Sequence, residues 1–412
     1  MRFSGWILTG LVAAVSWTCQ TEYPIDVPVL PSIPPVASEV PDLAKPLMEG
    51  VFSVTSGQEN FGSDAVVKWS GKYLSIFTRT NYLTFETGTL DSVIYLRGYW
   101  RVPTSDAFGL ADMMIAKNEG AASLLKGIMP STLIIKGKFG GGNSAVSANV
   151  AFTYSRPFST NVTAKKFYVV GHRGGGRTSD RLPISENSIA MVGYAGRFGA
   201  NGIEIDVRLT KDNVPVLYHD DDINIRLTQK SPINGPIDNF TWDQLNTFVY
   251  LIRGERIPKL ADVLTYAIDS TSIEFVWLDI KDPKVISIIR PIQEAAYDHA
   301  ASKGRAIEIL MGVPADDVEA ALKAESGYTS IPTLCEISPD VARELNSRAW
   351  GPRWTLGTQN DLVAGVQAEG RIAICWTIDV PAYINQFINQ GRFDGLLTNY
   401  PSYVAYYHYI RP

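Results

Sequence analysis

Two textures of apolar spacing divide the chain. From 47 to 160, apolar, β-branched and aromatic residues come in short runs close to alternation, at 50–56, 65–69, 73–78, 82–87, 92–102, 133–139 and 146–154. Alternation puts every second side chain on one face, as in a half-buried strand. Gly-rich breaks such as 140–143 separate the runs, and 109–128 reads as one helix or a longer loop. The segment is expected to form an antiparallel β-barrel or sandwich. From 165 onward, short apolar runs alternate with stretches of helical period. Strands are expected at 167–171, 202–207, 215–218, 274–280, 306–310, 330–335, 372–377 and 394–398. Helices are expected at 188–198, 260–268, 285–300 and 315–324, with a loop and a helix over 350–370 before the seventh strand. This β-α alternation predicts an α/β (β/α)8 barrel following the smaller all-β unit.

The start of the chain has a different character. Met1-Arg2 precedes an apolar run over 6–17, the length of a signal peptide and short for a membrane span. Cys19 follows closely, which suggests a lipoprotein-type signal over 1–19 with Cys19 lipidated. The expectation is an exported protein held to a membrane by that lipid, facing the periplasm or cell surface. Residues 20–46 carry seven of the 24 prolines and read as an extended linker. The expected units are therefore 1–19, 20–46, 47–160 and 161–412. Cys335 and Cys375 sit in apolar runs and read as small buried hydrophobes. A 45% hydrophobic, 19% charged composition excludes a disordered chain, and a net charge of −5 argues against a nucleic-acid partner.

The candidate chemistry lies at the ends of the barrel strands. His172-Arg173 ends the first expected strand, Glu204 and Asp206 lie in the second, His219 ends the third, and Asp279 and Lys281 end the fourth. In such a barrel, C-terminal strand ends share one mouth. Residues two apart in a strand share a face, so Glu204 pairs with Asp206 and Asp279 with Lys281. Adjacent buried carboxylates repel unless a cation or a proton intervenes. An all-oxygen set suits Ca²⁺ or Mg²⁺, and Glu204, Asp206 and Asp279 are the candidate ligands. The alternative is an internal ion network with Arg208, Lys281 or Arg173. A free imidazole titrates near neutrality, so His172 and His219 suit an acid–base pair, with the order of roles left open. Arg173 has the fork geometry that grips phosphate.

His172-Arg173-Gly174, Ser185-Glu186-Asn187-Ser188, the run from Glu204 to Asp212 and Pro215-Val216-Leu217-Tyr218-His219-Asp220 together resemble the glycerophosphodiester phosphodiesterase family. The resemblance continues through 257–264, Leu278-Asp279-Ile280-Lys281, Trp376-Thr377-Ile378-Asp379 and 394–401. It covers about 165–405 and leaves the β-rich segment unrecognised. It implies a (β/α)8 barrel that cleaves glycerophosphodiesters to an alcohol and glycerol 3-phosphate with a divalent cation. By position it implies Glu204, Asp206 and Asp279 as metal ligands, His172 and His219 as acid and base, and Arg173 and Lys281 toward phosphate. Glu186 and Trp376 would support the site. Ser185 stands where the family usually has Pro, and Asp279 where it generally has Glu. The loop 175–184, carrying Arg177 and Arg181, looks longer than usual and should rim the mouth. Other readings are a lysophospholipid, sphingolipid, phosphoinositide or glycosyl phosphodiester substrate, or a surface protein whose β unit binds glycan or lipid.

Overall fold

The computed structural model describes residues 25–412, so the apolar leader and Cys19 lie outside the described residues. The first unit is a closed barrel of eight antiparallel strands: β1 (Gly50–Ser56), β2 (Asp64–Ser70), β3 (Tyr73–Thr78), β4 (Tyr82–Leu90), β5 (Val93–Arg101), β6 (Phe108–Ile115), β7 (Ile134–Phe139) and β8 (Ala148–Arg156). Each pairs with the next, and β8 closes onto β1. Phe52, Phe61, Phe85 and Phe152 are wholly buried in its core, so the interior is packed with side chains. Strand β6 corrects the expected helix or loop at 109–128. Its Phe-Gly-Leu-Ala-Asp-Met-Met-Ile run lacks clean alternation, because Gly109 and Ala111 occupy crowded positions. A Cβ on Gly109 would stand 1.8 Å from the Gly140 carbonyl oxygen.

The described part of the Pro-rich segment also differs from a free linker. Val29 N–H donates to Asn143 Oδ1 at 2.8 Å, and Ser38 and Thr89 exchange backbone hydrogen bonds at 3.0 and 2.8 Å. Val40 and Ala44 are buried in the β-barrel core. The prolines stiffen the segment, and its apolar residues hold it along the barrel wall.

The second unit is a barrel of eight parallel strands: β9 (Tyr168–Gly171), β10 (Gly202–Leu209), β14 (Phe275–Ile280), β15 (Glu308–Val313), β16 (Thr333–Cys335), β17 (Ala349–Trp350), β18 (Ile372–Cys375) and β19 (Gly395–Thr398). Pairing of β10 with β9 closes it. Between β10 and β14 lie β11 (Pro215–Leu217) and a small hairpin of β12 (Asp222–Ile223) and β13 (Gly235–Pro236). The expected count of eight holds, but its members change. Pro215–Leu217 runs antiparallel to β10, with Val207 facing Leu217 and Leu209 facing Pro215. It is therefore a hairpin return and not the third barrel strand; the short connection after β10 cannot make the crossover a parallel neighbour needs. Asp279 and Lys281 accordingly lie at the third barrel strand. The missing eighth strand is Ala349–Trp350, only two residues long.

Helices pack outside the parallel barrel. Ile203, Ile205 and Val207 join Val263, Leu264 and Ile289 in the outer core, which leaves Glu204 and Asp206 on the inner face of β10. The two barrels meet through Val66, Phe77, Tyr82 and Tyr99 on one side and Leu182, Ile184, Met191, Phe198, Ala405 and Tyr406 on the other. The buried Cys335 and Cys375 are free thiols. No helix among the described residues is long and apolar enough to cross a membrane.

Candidate active site

The C-terminal mouth of the parallel barrel holds a cavity of about 480 Å³ lined by His172, Arg173, Glu204, His219, Asp279 and Lys281. Trp277, Trp376, Glu336 and Arg353 complete much of its wall. Parallel register places Asp206 directly beside Asp279. Carboxylate oxygens of Glu204, Asp206 and Asp279 all lie within 4.8 Å of one another. Glu204 and Asp206 are buried, and the Asp279 side chain is partly open.

One cation of the protein sits among them. Lys281 Nζ lies 2.9 Å from Asp206 Oδ1 and 2.5 Å from Asp279 Oδ2. The other candidate partners turn elsewhere: Arg208 pairs with Asp221 at 2.6 Å, and the Arg173 guanidinium with Glu186 at 2.7 Å. The ion network is thus incomplete, with three carboxylates against one ammonium. Glu204 Oε2 accepts from Arg173 N–H at 2.8 Å, but the buried Glu204 Oε1 has no hydrogen-bond partner among the described residues. Burial, with Asp206 and Asp279 beside it, pushes Glu204 well above the usual carboxylate range. Burial also pulls on Asp206, but Lys281, the two histidines and a hydrogen bond from Asn187 outweigh it and hold Asp206 down. An unpaired buried carboxylate costs several kcal/mol. The orphaned oxygen and the all-oxygen donor set fit a hard divalent cation.

His172 follows β9 directly, in a tight turn where Arg173 takes a left-handed φ of 54°. A non-glycine residue held there is strained, which is common where a backbone is shaped by function. The turn aims the Arg173 N–H at Glu204 and its guanidinium at Glu186. His172 Nδ1 lies 2.7 Å from Asn399 Oδ1. Asn399 is oriented in turn by Asp379, which accepts from its Nδ2 at 2.5 Å and its N–H at 2.8 Å. With the amide oxygen as acceptor, His172 carries its proton on Nδ1, and Nε2 lies 3.7 Å from Glu204 Oε2. Burial, then the Arg173 charge, lowers His172 to about 4, so the ring is neutral.

His219 is supported differently. The hairpin return brings it back beside β10, where Arg208 donates twice to its carbonyl at 3.1 and 2.8 Å. Its Nδ1 lies 2.7 Å from the Asp220 carboxylate, which also takes Arg226 and Asn224 Nδ2. Burial would raise Asp220, but these donors hold it well below the usual range.

All the residues expected at the site converge there or support it. Glu186 accepts from Arg173 and from Thr178 N–H at 2.6 Å, and Trp376 lines the cavity while donating to Gly351 O at 2.6 Å. Besides Asp220, Asn224 and Arg226 behind His219 and Trp277 and Arg353 in the wall, further contributors have no expected role. Asn187 bonds Asp206 at 2.7 Å, Asn399 and Asp379 orient His172, and Glu336 lines the wall. Burial and the neighbouring Asp279 push Glu336 up to about 8. Asn187, Asp379 and Asn399 fall inside the motif stretches, so their sequence signal was adjacency to named site residues. Glu336 had only its place after an expected strand.

The model of the glycerophosphoryl diester phosphodiesterase family matches residues 172–286. A Mycobacterium tuberculosis protein named probable glycerophosphodiester phosphodiesterase 2 is 28% identical over 250 residues, covering 56% of this chain and 86% of that one. A glycerophosphodiester phosphodiesterase of Caldanaerobacter subterraneus is 27% identical over 57% of this chain and 95% of its own. Among solved structures, a glycerophosphodiester phosphodiesterase from Parabacteroides distasonis is 25% identical, with a TM-score of 0.46 over 58% of this chain and 96% of its own. The N-terminal β-barrel lies outside the family match. Residues 172–286, from the end of the first parallel strand through the third, thus match the glycerophosphoryl diester phosphodiesterase family, and relatives named as glycerophosphodiester phosphodiesterases align over more than half of the chain.

Proposed function

We propose that the chain hydrolyses glycerophosphodiesters to an alcohol and glycerol 3-phosphate, with His172 and His219 as the proton carriers. The observation that supports this best is convergence on one cavity: two differently supported histidines, an arginine and an under-neutralised carboxylate triad. Arg173 binds a non-bridging phosphate oxygen through the part of its guanidinium not engaged by Glu186; its buried Nε has no hydrogen-bond partner among the described residues. Glu204, Asp206 and Asp279 would hold a divalent cation, which when bound neutralises charge building on the phosphoryl group. Lys281 adds positive charge beside Asp206 and Asp279.

The hydrogen-bond partners of the histidines favour one order of roles. His172 donates Nδ1–H to a neutral amide, which leaves Nε2 free to take the proton of the attacking hydroxyl. His219 has a carboxylate on Nδ1, which stabilises an imidazolium that gives its Nε2 proton to the leaving alcohol. Export and lipid anchoring at Cys19 belong to the same reading, supported by the leader's composition.

The test is glycerol 3-phosphate release by the purified protein across glycerophosphodiesters and lysophospholipids, with and without chelator. Turnover that chelator abolishes, that Ca²⁺ or Mg²⁺ restores, and that His172→Ala and His219→Ala each reduce on the order of 10²-fold or more is the expected result. Undiminished turnover in either variant refutes the histidine roles, and undiminished turnover under chelation refutes the cation. Release of a different phosphate product moves the substrate to another diester class.

A further inference from the structure

The loop 175–184 at the mouth is held from the β-barrel. Arg101, the last residue of β5, is buried, and its Nη2 donates to the Asp180 carbonyl at 2.9 Å and the Arg181 carbonyl at 3.2 Å. Asp106, in the turn after β5, pairs with the Arg181 guanidinium at 2.6 Å. Leu182 and Ile184 pack against Tyr82 and Tyr99 of the same barrel wall. On its other side, the loop's Asp180 takes Arg177 and the Tyr400 hydroxyl, at the C-terminal end of β19. Arg181 adopts a left-handed φ of 55°, so two inward-turned carbonyls meet one guanidinium at a strained bend.

The loop leads straight to the phosphate-gripping arginine. Thr178 N–H donates to Glu186 Oε2, Glu186 Oε1 accepts from Arg173 Nη1, and Asn187 N–H donates to the Arg173 carbonyl at 2.9 Å. Asn187 also bonds Asp206 in both directions, through Nδ2 at 2.7 Å and Oδ1 at 3.1 Å. A shift of the 180–181 backbone therefore reaches Arg173 and Asp206 through directional bonds rather than soft packing.

We propose that Arg101 is a positioning residue for the reaction, and that the β-barrel is a built-in clamp on the active-site loop, setting Arg173 through Thr178 and Glu186. This rests on the phosphodiesterase reading for its kinetic consequence, but not for its structural one. Without the clamp, the loop would keep its bonds to Arg177, Tyr400, Glu186 and Arg253, the last through Leu182 O at 3.1 Å, but lose its hold on the β-barrel.

The experiment compares the full chain with Arg101→Gln, Arg101→Lys and Asp106→Asn, by steady-state kinetics on glycerophosphocholine and by amide hydrogen exchange. Asp106 is exposed, so its variant isolates the ion pair without disturbing the core. In Arg101→Gln, exchange over 176–187 should accelerate about tenfold while exchange in β2 and β3 stays as in the parent. kcat/KM should fall by a similar factor, chiefly through kcat, as expected for a misplaced arginine. Arg101→Lys keeps the charge but not the fork, and should recover part of both losses. If Arg101→Gln fails to fold, Arg101→Lys and Asp106→Asn carry the same comparison. Parent-like exchange over 176–187 and parent-like kcat/KM in the folded variants overturn the proposal. If the parent itself releases no glycerol 3-phosphate, the proposed function fails, and the exchange result still decides the clamp.

Discussion

His172 shows how much of this site is made by residues one bond removed from the cavity. An imidazole accepts a proton on Nε2 only if Nδ1 already carries one, and Asn399 Oδ1 enforces that tautomer. Asn399 has no freedom to flip, because Asp379 accepts from its Nδ2 and its backbone N–H. Asn399→Ala should lower kcat on the order of 10- to 100-fold, less than loss of the histidine itself, with KM little changed. Steady-state kinetics on protein shown to be folded by circular dichroism checks this, and an unchanged kcat would remove Asn399 from the proton path. At this scale the sequence was legible wherever chemistry is carried by charge. Two histidines, an arginine and three carboxylates at strand ends announce themselves. Asn399 and Glu336 do not, since an amide or lone carboxylate after a strand says nothing until its partners in distant strands are placed.

The hairpin return is the element on which the acid role proposed for His219 depends. It places His219 beside the barrel mouth, anchored by Arg208 from β10 and locked by Asp220, Asn224 and Arg226 within its own loop. Asp220→Ala removes both the carboxylate that stabilises the imidazolium and the hub for Arg226 and Asn224. Turnover should fall on the order of 10- to 100-fold. Thermal stability should change little, because Arg226 is exposed and surface ion pairs contribute about 0–1 kcal/mol. A variant that loses stability in proportion to turnover would show a structural role for Asp220 instead. This element was the least legible part of the parallel barrel. Apolar runs mark strands but not their direction, and Pro215–Leu217 looks like any buried strand. The connection from Leu209 carried the correct signal, since five residues, 210–214, make a hairpin and not a crossover. Ala349–Trp350 failed for the opposite reason: two residues have no period to read.

At the scale of the whole molecule, the buried histidine near the seam of the two barrels should make stability depend on pH. His408, on the helix Pro401–Tyr409, is buried and stacks on Phe167 with ring centroids 4.2 Å apart. Arg411 Nη2 lies 2.9 Å from His408 Nδ1 and donates to it, so Nδ1 is an acceptor and the ring is neutral. Burial, then the charges of Arg411 and of Lys68 from β2 of the other barrel, lowers His408 from 6.5 to about 3. The sign follows from proton counting. In the unfolded chain this histidine takes up its proton below about 6.5, whereas in the folded chain it stays neutral until about 3. Between those values the unfolded state binds more protons, so stability rises with pH, by up to about 1.4 kcal/mol per unit for a single group. The contribution is complete above 6.5 and is lost as pH falls toward 3. Urea unfolding from pH 7 to pH 4 should therefore show the parent losing stability, and His408→Gln losing less over the same range. Carboxylates titrating in that window affect both proteins alike, so the difference between the curves isolates His408. Parallel curves would mean that acid acts on the seam through other groups. A difference that grows steadily below pH 6.5 would show that one buried ring, stacked on Phe167 and within reach of the Lys68 charge from the other barrel, couples the stability of the fold to acidity.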